Sequence, residues 1–279
     1  SPALIAVHGQ TVYHAPPISW QLINPSIIAQ AIQRPVVCDL RAADLAAGGQ
    51  GAPITPLADW ILFRDAQNTT AIINLGGFCN VTILPAGDDS SGLASIRGFD
   101  VCVCNRLLNM IAQRGWHEAF DQDGSHAARG SIHESAAREL LDLLRQQRDS
   151  RRSLGTGDDP INWIEQYMPI CSGEDLAATA VDAIAQCIAE SINEPTAQRV
   201  ILAGGGASNQ TLFHALQTHI DAHLHMSDAL GVPVQSREAS AMAVLGALCQ
   251  DGVSITLPQV TGCANPPPLA GVWCCPERA

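Results

Sequence analysis

The chain has 279 residues, 47% of them hydrophobic, and a formal net charge of -12. This length and composition allow one large core or two lobes that share a hinge. The excess of acidic residues argues against nucleic acid as a partner, because binding to phosphates needs basic patches. No apolar run reaches the roughly 20 residues that span a bilayer, and the first residues do not resemble a signal peptide, so we expect no membrane partner and a cytoplasmic location.

The basic residues and the cysteines exclude further classes of site. All fifteen basic residues are arginine, which excludes a P-loop lysine, a Schiff-base lysine and any other catalytic lysine. The ten cysteines include no C-x-x-C pair, so we expect reduced, mostly buried thiols. Asp121–Gly124 resembles a fragment of a calcium loop, but the later glutamate of such a loop is absent. We therefore expect no metal site built by the protein alone.

Short apolar segments run into glycine-rich or polar turns, which is typical of strands buried on both faces of a sheet. These predicted strands are residues 4–7, 35–38, 71–75 and 199–203. Helices are predicted from apolar positions at helical spacing over residues 131–148, 176–192, 211–220 and 239–248. Strands that alternate with helices predict an α/β fold. From Leu257 onward we expect irregular structure that packs against the rest of the chain.

Two of the predicted strands end in glycine clusters. Residues 72–77 (IINLGG) end in paired glycines, whose backbone N–H groups could approach an anion closely. Residues 200–206 (VILAGGG) end in three glycines ahead of a helix, and adenine could lie against that bare backbone with Asn209 nearby. Tight turns alone also produce such clusters, so the sequence leaves both interpretations open.

Two carboxylates are placed where they could do chemistry. Asp100 follows a short strand-like stretch and could act as a general base, although a capping or surface role is common for an isolated aspartate. Glu238 begins a predicted apolar helix, where the helix dipole favours a negative charge even without a ligand.

Longer motifs follow one another along nearly the whole chain. They are His8–His14 (HGQTVYH), Asn24–Ser26 (NPS), Asp39–Pro53 (DLRAADLAAGGQGAP), Asn74–Asn80 (NLGGFCN), Asp121–Gly124 (DQDG), Gly204–Asn209 (GGGASN), Ser227–Pro233 (SDALGVP), Glu238–Ala239 (EA) and Leu257–Gly262 (LPQVTG). In residue type and in order, this series resembles the anhydro-N-acetylmuramic acid kinase family. The resemblance implies an actin-like ATPase (ribonuclease H-like) fold with two lobes. It also implies a reaction in which ATP with Mg²⁺ phosphorylates O6 of 1,6-anhydro-N-acetylmuramic acid while water opens the ring, a step in the recycling of cell-wall sugar.

The same resemblance assigns roles to individual residues. It implies that Asp100 is the base that activates the water and that Glu238 helps to hold the sugar. Weaker motif matches on the sugar side are His8, Gln10, Arg41 and Gln50. On the nucleotide side the matched residues are Asn74, Gly76, Gly77, Asn80, Gly204, Gly205, Gly206 and Asn209. The expected partners are a small amino sugar and a nucleotide, with a homodimer as the expected assembly.

The sequence departs from the family pattern in two places. It contains no counterpart of the family's N-terminal glycine-rich phosphate hairpin, so we expect a truncated first lobe over residues 1–70 and a fuller second lobe over residues 71–279. Directly after Asp100, the segment 101–103 reads Val-Cys-Val where the family has Thr-Gly-Pro.

Three interpretations follow from these departures. The chain is a working kinase whose remaining segment lies elsewhere, or an inactive relative that still binds sugar or nucleotide. The third interpretation, from a different class, is an interaction protein that makes contacts through Cys102, Cys104, Cys274 and Cys275.

Overall fold

The computed structural model describes residues 2–88, 90–192 and 197–276 of the chain. Its strands are β1 Ile5–Ala6, β2 Gln10–Ala15, β3 Ile18–Leu22, β4 Val36–Cys38, β5 Thr70–Leu75, β6 Phe78–Leu84, β7 Arg97–Val103, β8 Arg199–Ala203, β9 His223–Met226 and β10 Val272–Cys274. Its α-helices are α1 Pro25–Ile32, α2 Ala42–Ala46, α3 Pro56–Phe63, α4 Asn105–Trp116, α5 Glu134–Asp149, α6 Ile161–Tyr167, α7 Gly173–Ile192, α8 Gln210–His219, α9 Arg237–Gln250 and α10 Pro258–Thr261. Within these residues, no helix has both the length and the apolar character needed to cross a membrane.

The chain folds into two compact units. Among the described residues, the first unit contains 2–66, 84–98 and 236–276, and the second contains the rest. The predicted lobes, 1–70 and 71–279, differ from these units because 84–98 and 236–276 pack with the first unit. For the last segment the cause is clear, since α9 packs against α3 and β1, and β10 pairs with β4.

The first unit is built around a small sheet in the order β1-β4-β10. β1 runs parallel to β4, with Ile5 opposite Val36, and β10 runs antiparallel to β4. The predicted strands at 4–7 and 35–38 are thereby confirmed. The prediction of an irregular tail from Leu257 onward is wrong at α10 and at β10, and β10 completes the edge of this sheet. A separate antiparallel hairpin, β2–β3, carries Gln10 at its start.

The second unit contains a five-stranded sheet in the order β7-β6-β5-β8-β9. β8 runs parallel to β5 on one side and to β9 on the other, and β5 is buried along its whole length. Three consecutive strands with two later parallel strands beside the first give the strand order of the actin-like (ribonuclease H-like) ATPase fold. The predicted α/β class and the predicted fold are confirmed.

The core of the second unit is formed where α7 packs against α4, α5 and α8. Four cysteines lie in this core with no exposed surface, namely Cys79, Cys102, Cys104 and Cys187. Burial raises the pKa of the Cys104 thiol to about 12 and raises the pKa of Cys79 well above its ordinary value. The hypothesis that Cys102 and Cys104 make contacts with partner proteins is wrong, because neither sulfur reaches the surface.

Candidate functional site

The sugar-side residues His8 and Arg41 are brought together at one edge of the first unit's sheet. His8 follows β1 and Arg41 follows β4, and these parallel strands end at the same edge, where ligands of α/β proteins commonly bind. Arg41 Nε donates to His8 Nε2 at 2.8 Å, and Arg41 Nη1 donates to the carbonyl oxygen of Gly51. Two predicted site residues are therefore joined directly.

The protonation state of His8 follows from these contacts. Its Nδ1 lies 2.8 Å from the carbonyl oxygen of Gly9, which can only accept, so Nδ1 carries the proton. Nε2 then accepts from Arg41, and the ring is neutral. Burial lowers the pKa of His8 from 6.5, and the nearby Arg41 lowers it further, whereas Glu238 and Asp39 oppose the shift. The effect of Glu238 on the pKa places it within electrostatic range of this pair.

Glu238 lies in the first turn of α9 and its side chain is exposed. The preceding residue, Arg237, is 2% exposed and pairs with the fully buried Asp59, with Nη2 at 2.5 Å from Oδ1. Thr55 Oγ1 also accepts from Arg237 Nη2, at 3.2 Å. This buried ion pair fixes the start of α9 and with it the position of Glu238, a contribution that the sequence did not reveal.

The two predicted glutamines are exposed and differ in how they are held. The Gln50 backbone N–H donates to the carbonyl oxygen of Thr261 at 2.8 Å, so its loop is tied to the end of α10. The side-chain amide of Gln10 donates to the carbonyl oxygen of Thr11 at 3.4 Å. The backbone of Gln50 is thus fixed in position. The next residue, Gly51, is the one whose carbonyl oxygen accepts from Arg41.

On the nucleotide side, Gly204 and Gly206 pack against the end of β5. Gly204 has φ of +84°, and a Cβ there would lie 2.8 Å from Asn74 Oδ1 and from the carbonyl oxygen of Leu75. A Cβ on Gly206 would lie 2.7 Å from Asn105 Oδ1. These two glycines are therefore required by the packing of one strand end against another. Asn74 Oδ1 is buried there without a hydrogen-bond partner among the described residues.

A pocket of about 300 Å³ opens beside these glycines. Predicted residues that line it are Gly205, Gly206 and Asn209. No atom lies within 4 Å of the position that a Cβ on Gly205 would take, so this glycine faces open space. The Asn209 side chain also caps α8, where its Oδ1 accepts from Leu212 N–H at 2.9 Å. Three of the predicted nucleotide residues thus share one cavity.

Residues outside the predicted site also line this pocket. Asn105 and Asn109 come from α4, and Phe120 comes from the loop after it. That loop is held in place because Thr211 Oγ1 donates to the carbonyl oxygen of Gly124 at 2.7 Å. A buried Asp121 fixes its shape by accepting the backbone N–H groups of residues 126 and 127, each at 2.9 Å. The DQDG motif therefore shapes the pocket wall.

The paired glycines after β5, Gly76 and Gly77, accept hydrogen bonds from the start of α4. The carbonyl oxygen of Gly77 accepts from Cys104 N–H at 2.9 Å, and that of Gly76 accepts from Asn105 N–H at 3.1 Å. These contacts tie the helix start to the turn. Asn80 is half-buried in β6.

Asp100 lies half-buried on β7. Its Oδ2 accepts from Leu154 N–H at 2.9 Å, which stabilises the ionised carboxylate. The residues after it that depart from the family pattern, 101–103, are fully buried in the core. That departure therefore concerns the packing behind Asp100. Across the described segments 2–88, 90–192 and 197–276, no group of three or more His, Cys, Asp or Glu side chains could hold a metal ion.

Comparison with known proteins places these features in a family. The family described as "Anhydro-N-acetylmuramic acid kinase" matches residues 2–274. The kinase of that name from Synechococcus sp. (strain CC9605) is 35% identical over 94% of this chain and 74% of its own length. Its counterpart from Burkholderia orbicola (strain MC0-3) is 36% identical over 94% of this chain and 70% of its own length. That from Pseudomonas savastanoi pv. phaseolicola (strain 1448A / Race 6) is 32% identical over 96% of this chain and 74% of its own length.

A solved structure is also similar. The activator of the 2-hydroxyisocaproyl-CoA dehydratase from Clostridium difficile, with bound ADPNP, is 17% identical over 72% of this chain and 68% of that one, with a TM-score of 0.45. This weak likeness supports no conclusion about ligands. The match over residues 2–274 and the identities above 30% confirm the expected family. The chain belongs to the anhydro-N-acetylmuramic acid kinase family.

Proposed function

We propose that this chain uses ATP to phosphorylate 1,6-anhydro-N-acetylmuramic acid, with hydrolytic opening of the ring to the 6-phosphate. The observation that carries the proposal is that the family match spans both units, so one chain contains the sugar-side and the nucleotide-side motifs. The proposal also includes the residue roles given below.

The nucleotide is proposed to bind in the pocket beside Gly205. A volume of about 300 Å³ is sufficient for a nucleobase, and the open side of Gly205 lets a flat ring approach the backbone. The Asn109 amide and the Nδ2 of Asn209 offer hydrogen-bonding groups to the edge of a base, whereas Asn105 Nδ2 already donates to the carbonyl oxygen of Leu75 at 3.0 Å. Since the chain contains no lysine, phosphate charge must be neutralised by backbone N–H groups, arginine and a metal ion.

Mg²⁺ is the ion that the reaction is proposed to use. Asn74 fits it, because its Oδ1 is a buried oxygen without a hydrogen-bond partner among the described residues, and oxygen is the ligand type that Mg²⁺ takes directly or through water. When bound, the ion would neutralise charge on the phosphates of ATP.

Asp100 is proposed to act as the general base. The ionised carboxylate takes a proton from a water molecule whose oxygen bonds to C1 of the sugar. The C1–O6 bond breaks, O6 bonds to the γ-phosphorus, and the bond from that phosphorus to ADP breaks. The Leu154 N–H that is bonded to Oδ2 holds the carboxylate in one orientation.

The sugar is proposed to contact the group at the sheet edge of the first unit. Neutral His8 fixes the guanidinium of Arg41, and the exposed carboxylate of Glu238 lies within electrostatic range. The substrate carries hydroxyl groups, an amide and a carboxylate, which match these donors and acceptors. The homodimer expected from the resemblance stays a prediction, to be tested by light scattering.

The test is a coupled assay of ADP release together with detection of the 6-phosphate product. Wild-type protein should turn over in the presence of both the sugar and MgATP. Asp100→Asn should reduce kcat by about 10²- to 10⁴-fold, because the amide keeps the shape but cannot take the proton, while calorimetric sugar binding persists. Asp221→Asn, an exposed aspartate of the same unit, is the matched control and should behave as wild type. Equal turnover in wild type and Asp100→Asn would remove Asp100 from the mechanism, and lack of product with wild type would refute the proposed function.

A further inference from the structure

Asp44 is a carboxylate buried without any exposed surface in the first unit. Its partners in the described chain are neutral donors: Gly51 N–H bonds to Oδ2 at 2.6 Å, Thr261 Oγ1 bonds to Oδ1 at 2.7 Å, and the Cys263 thiol also hydrogen-bonds to the carboxylate. Burying a carboxylate is costly unless hydrogen bonds satisfy it, so these donors are required by the charge that they surround. A position this costly to maintain needs an explanation beyond core packing.

The bonds to Asp44 join α2 and the loop after it to the end of α10, more than two hundred residues later in the chain. Asp44 lies on α2, Gly51 lies in the loop after it, and Thr261 ends α10. Backbone bonds reinforce the junction, from Gly49 N–H to the carbonyl oxygen of Asp44 at 2.9 Å and from Gln50 N–H to that of Thr261 at 2.8 Å. Gly49 lies so close that a Cβ there would overlap the carboxylate. The loop that carries Gln50 is therefore shaped around Asp44.

The Gly51 peptide connects this buried junction to the sugar-side group. Its N–H donates to Asp44, and its carbonyl oxygen accepts from Arg41 Nη1. Arg41 in turn donates through Nε to His8 Nε2 at 2.8 Å. A continuous line of hydrogen bonds thus runs from Thr261 through Asp44, Gly51 and Arg41 to His8.

We propose that Asp44, clasped by Thr261, is a positioning residue that orients the Gly51 peptide and through it the guanidinium of Arg41 in the sugar site. Asp44 and Thr261 do not themselves touch the sugar. This inference rests on the proposed function for its consequence in catalysis, but the orientation of Arg41 against His8 can be measured without turnover.

Thr261 gives the sharper test, because it lies at the far end of the line. Thr261→Val keeps the shape but removes the hydroxyl that donates to Asp44, whereas Thr261→Ser keeps that donor. Thr256→Val, at a buried threonine of the same unit, is the matched control for loss of a buried hydroxyl. Thr261→Val should raise KM for the sugar about 10- to 100-fold with little change in KM for ATP, since a misplaced binding group costs affinity where it acts. Thr261→Ser should restore the wild-type KM, and the control should leave it unchanged.

A second readout does not depend on activity. In ¹⁵N spectra of the histidine rings, with His8 assigned through His8→Gln, wild-type His8 should show a protonated Nδ1 and an unprotonated Nε2. Thr261→Val should shift the Nε2 signal as Arg41 loses its fixed position, and Thr261→Ser should not. A wild-type KM for the sugar in Thr261→Val, or an unchanged His8 signal, would overturn the inference and leave Thr261 with a stabilising role only. If wild type makes no product, the proposed function fails, while the ring spectra still decide whether the line of bonds orients Arg41.

Discussion

Gly204 and Gly205 are adjacent in sequence but have opposite surroundings, so replacing each by alanine should give opposite results. A Cβ on Gly204 would lie 2.8 Å from Asn74 Oδ1, with the backbone at φ +84°. Gly205 has a backbone outside the left-handed region, and no atom lies within 4 Å of its Cβ position. The first glycine is needed for packing, and the second leaves the pocket open.

The size of each effect follows from these surroundings. In Gly204→Ala, a backbone with φ +84° and ψ +165°, a region that only glycine adopts readily, costs about 1–3 kcal/mol. Crowding against the end of β5 adds about 1–3 kcal/mol. At about 2–4 °C per kcal/mol for a domain of this size, the melting temperature should fall on the order of 10 °C. Gly205→Ala meets no atom and restricts the unfolded chain, so the free energy of unfolding should stay equal or rise by up to about 1 kcal/mol.

A larger side chain at Gly205 separates stability from nucleotide binding. Gly205→Leu should extend into the pocket of about 300 Å³ and raise the Kd for ATP about tenfold or more, a loss of about 1.4 kcal/mol. Calorimetry would measure both the melting temperature and the ATP affinity of the three variants. A Gly205→Ala variant as unstable as Gly204→Ala would refute the packing argument. Wild-type ATP affinity in Gly205→Leu would show that the nucleotide binds elsewhere.

Further predictions concern the first unit. Because burial and Arg41 lower the pKa of His8 below 6.5, the neutral ring favours the folded state at higher pH, and this contribution is lost as pH falls from 6.5 through the lower pKa of the folded state. Urea unfolding between acid and neutral pH should show a steeper slope in wild type than in His8→Gln, because His14, whose pKa burial also lowers, contributes to both, and parallel curves would contradict the role of His8. Asp59→Ala should lower the free energy of unfolding by about 3–5 kcal/mol, because Arg237 is left buried without its carboxylate. The combination Asp59→Leu with Arg237→Met should recover most of that loss in the same urea assay, and a single Asp59→Ala variant as stable as wild type would count against a buried ion pair.

The parts of the fold that the sequence predicted are those with one uniform environment. β5 and β8 are buried along nearly all their length, and their unbroken apolar sequences predict this directly. The β2–β3 hairpin was missed because β2 (QTVYHA) has no clear alternation of polar and apolar residues, and a register shift falls between Thr11 and Tyr13. β10 was missed because its three residues gain their regularity only by pairing with β4, more than two hundred residues earlier.

The candidate site was also predicted from the sequence only in part. Local motifs predicted the glycines around Gly205 and named His8 and Arg41 separately, without the hydrogen bond that joins them. They could not predict that Asn109 and Phe120 complete the pocket, because α4 brings these residues there from outside any glycine motif. Nor could they predict the bond between Thr261 and Asp44, two residues separated by 217 positions, although the two motifs that contain them had both been recognised.

The second unit contains four buried cysteines, Cys79, Cys102, Cys104 and Cys187. Reaction of their thiols with a reagent would report the opening of that unit. A thiol reagent reaches their sulfurs only when the unit's core separates, whereas the exposed Cys275 reacts at once. The ratio of the labelling rate of the buried cysteines to that of Cys275 therefore gives the free energy of opening for the second unit alone. Adding nucleotide should lower that ratio if the ligand binds to the closed form, so the native sequence supplies a binding assay that needs neither an introduced probe nor turnover.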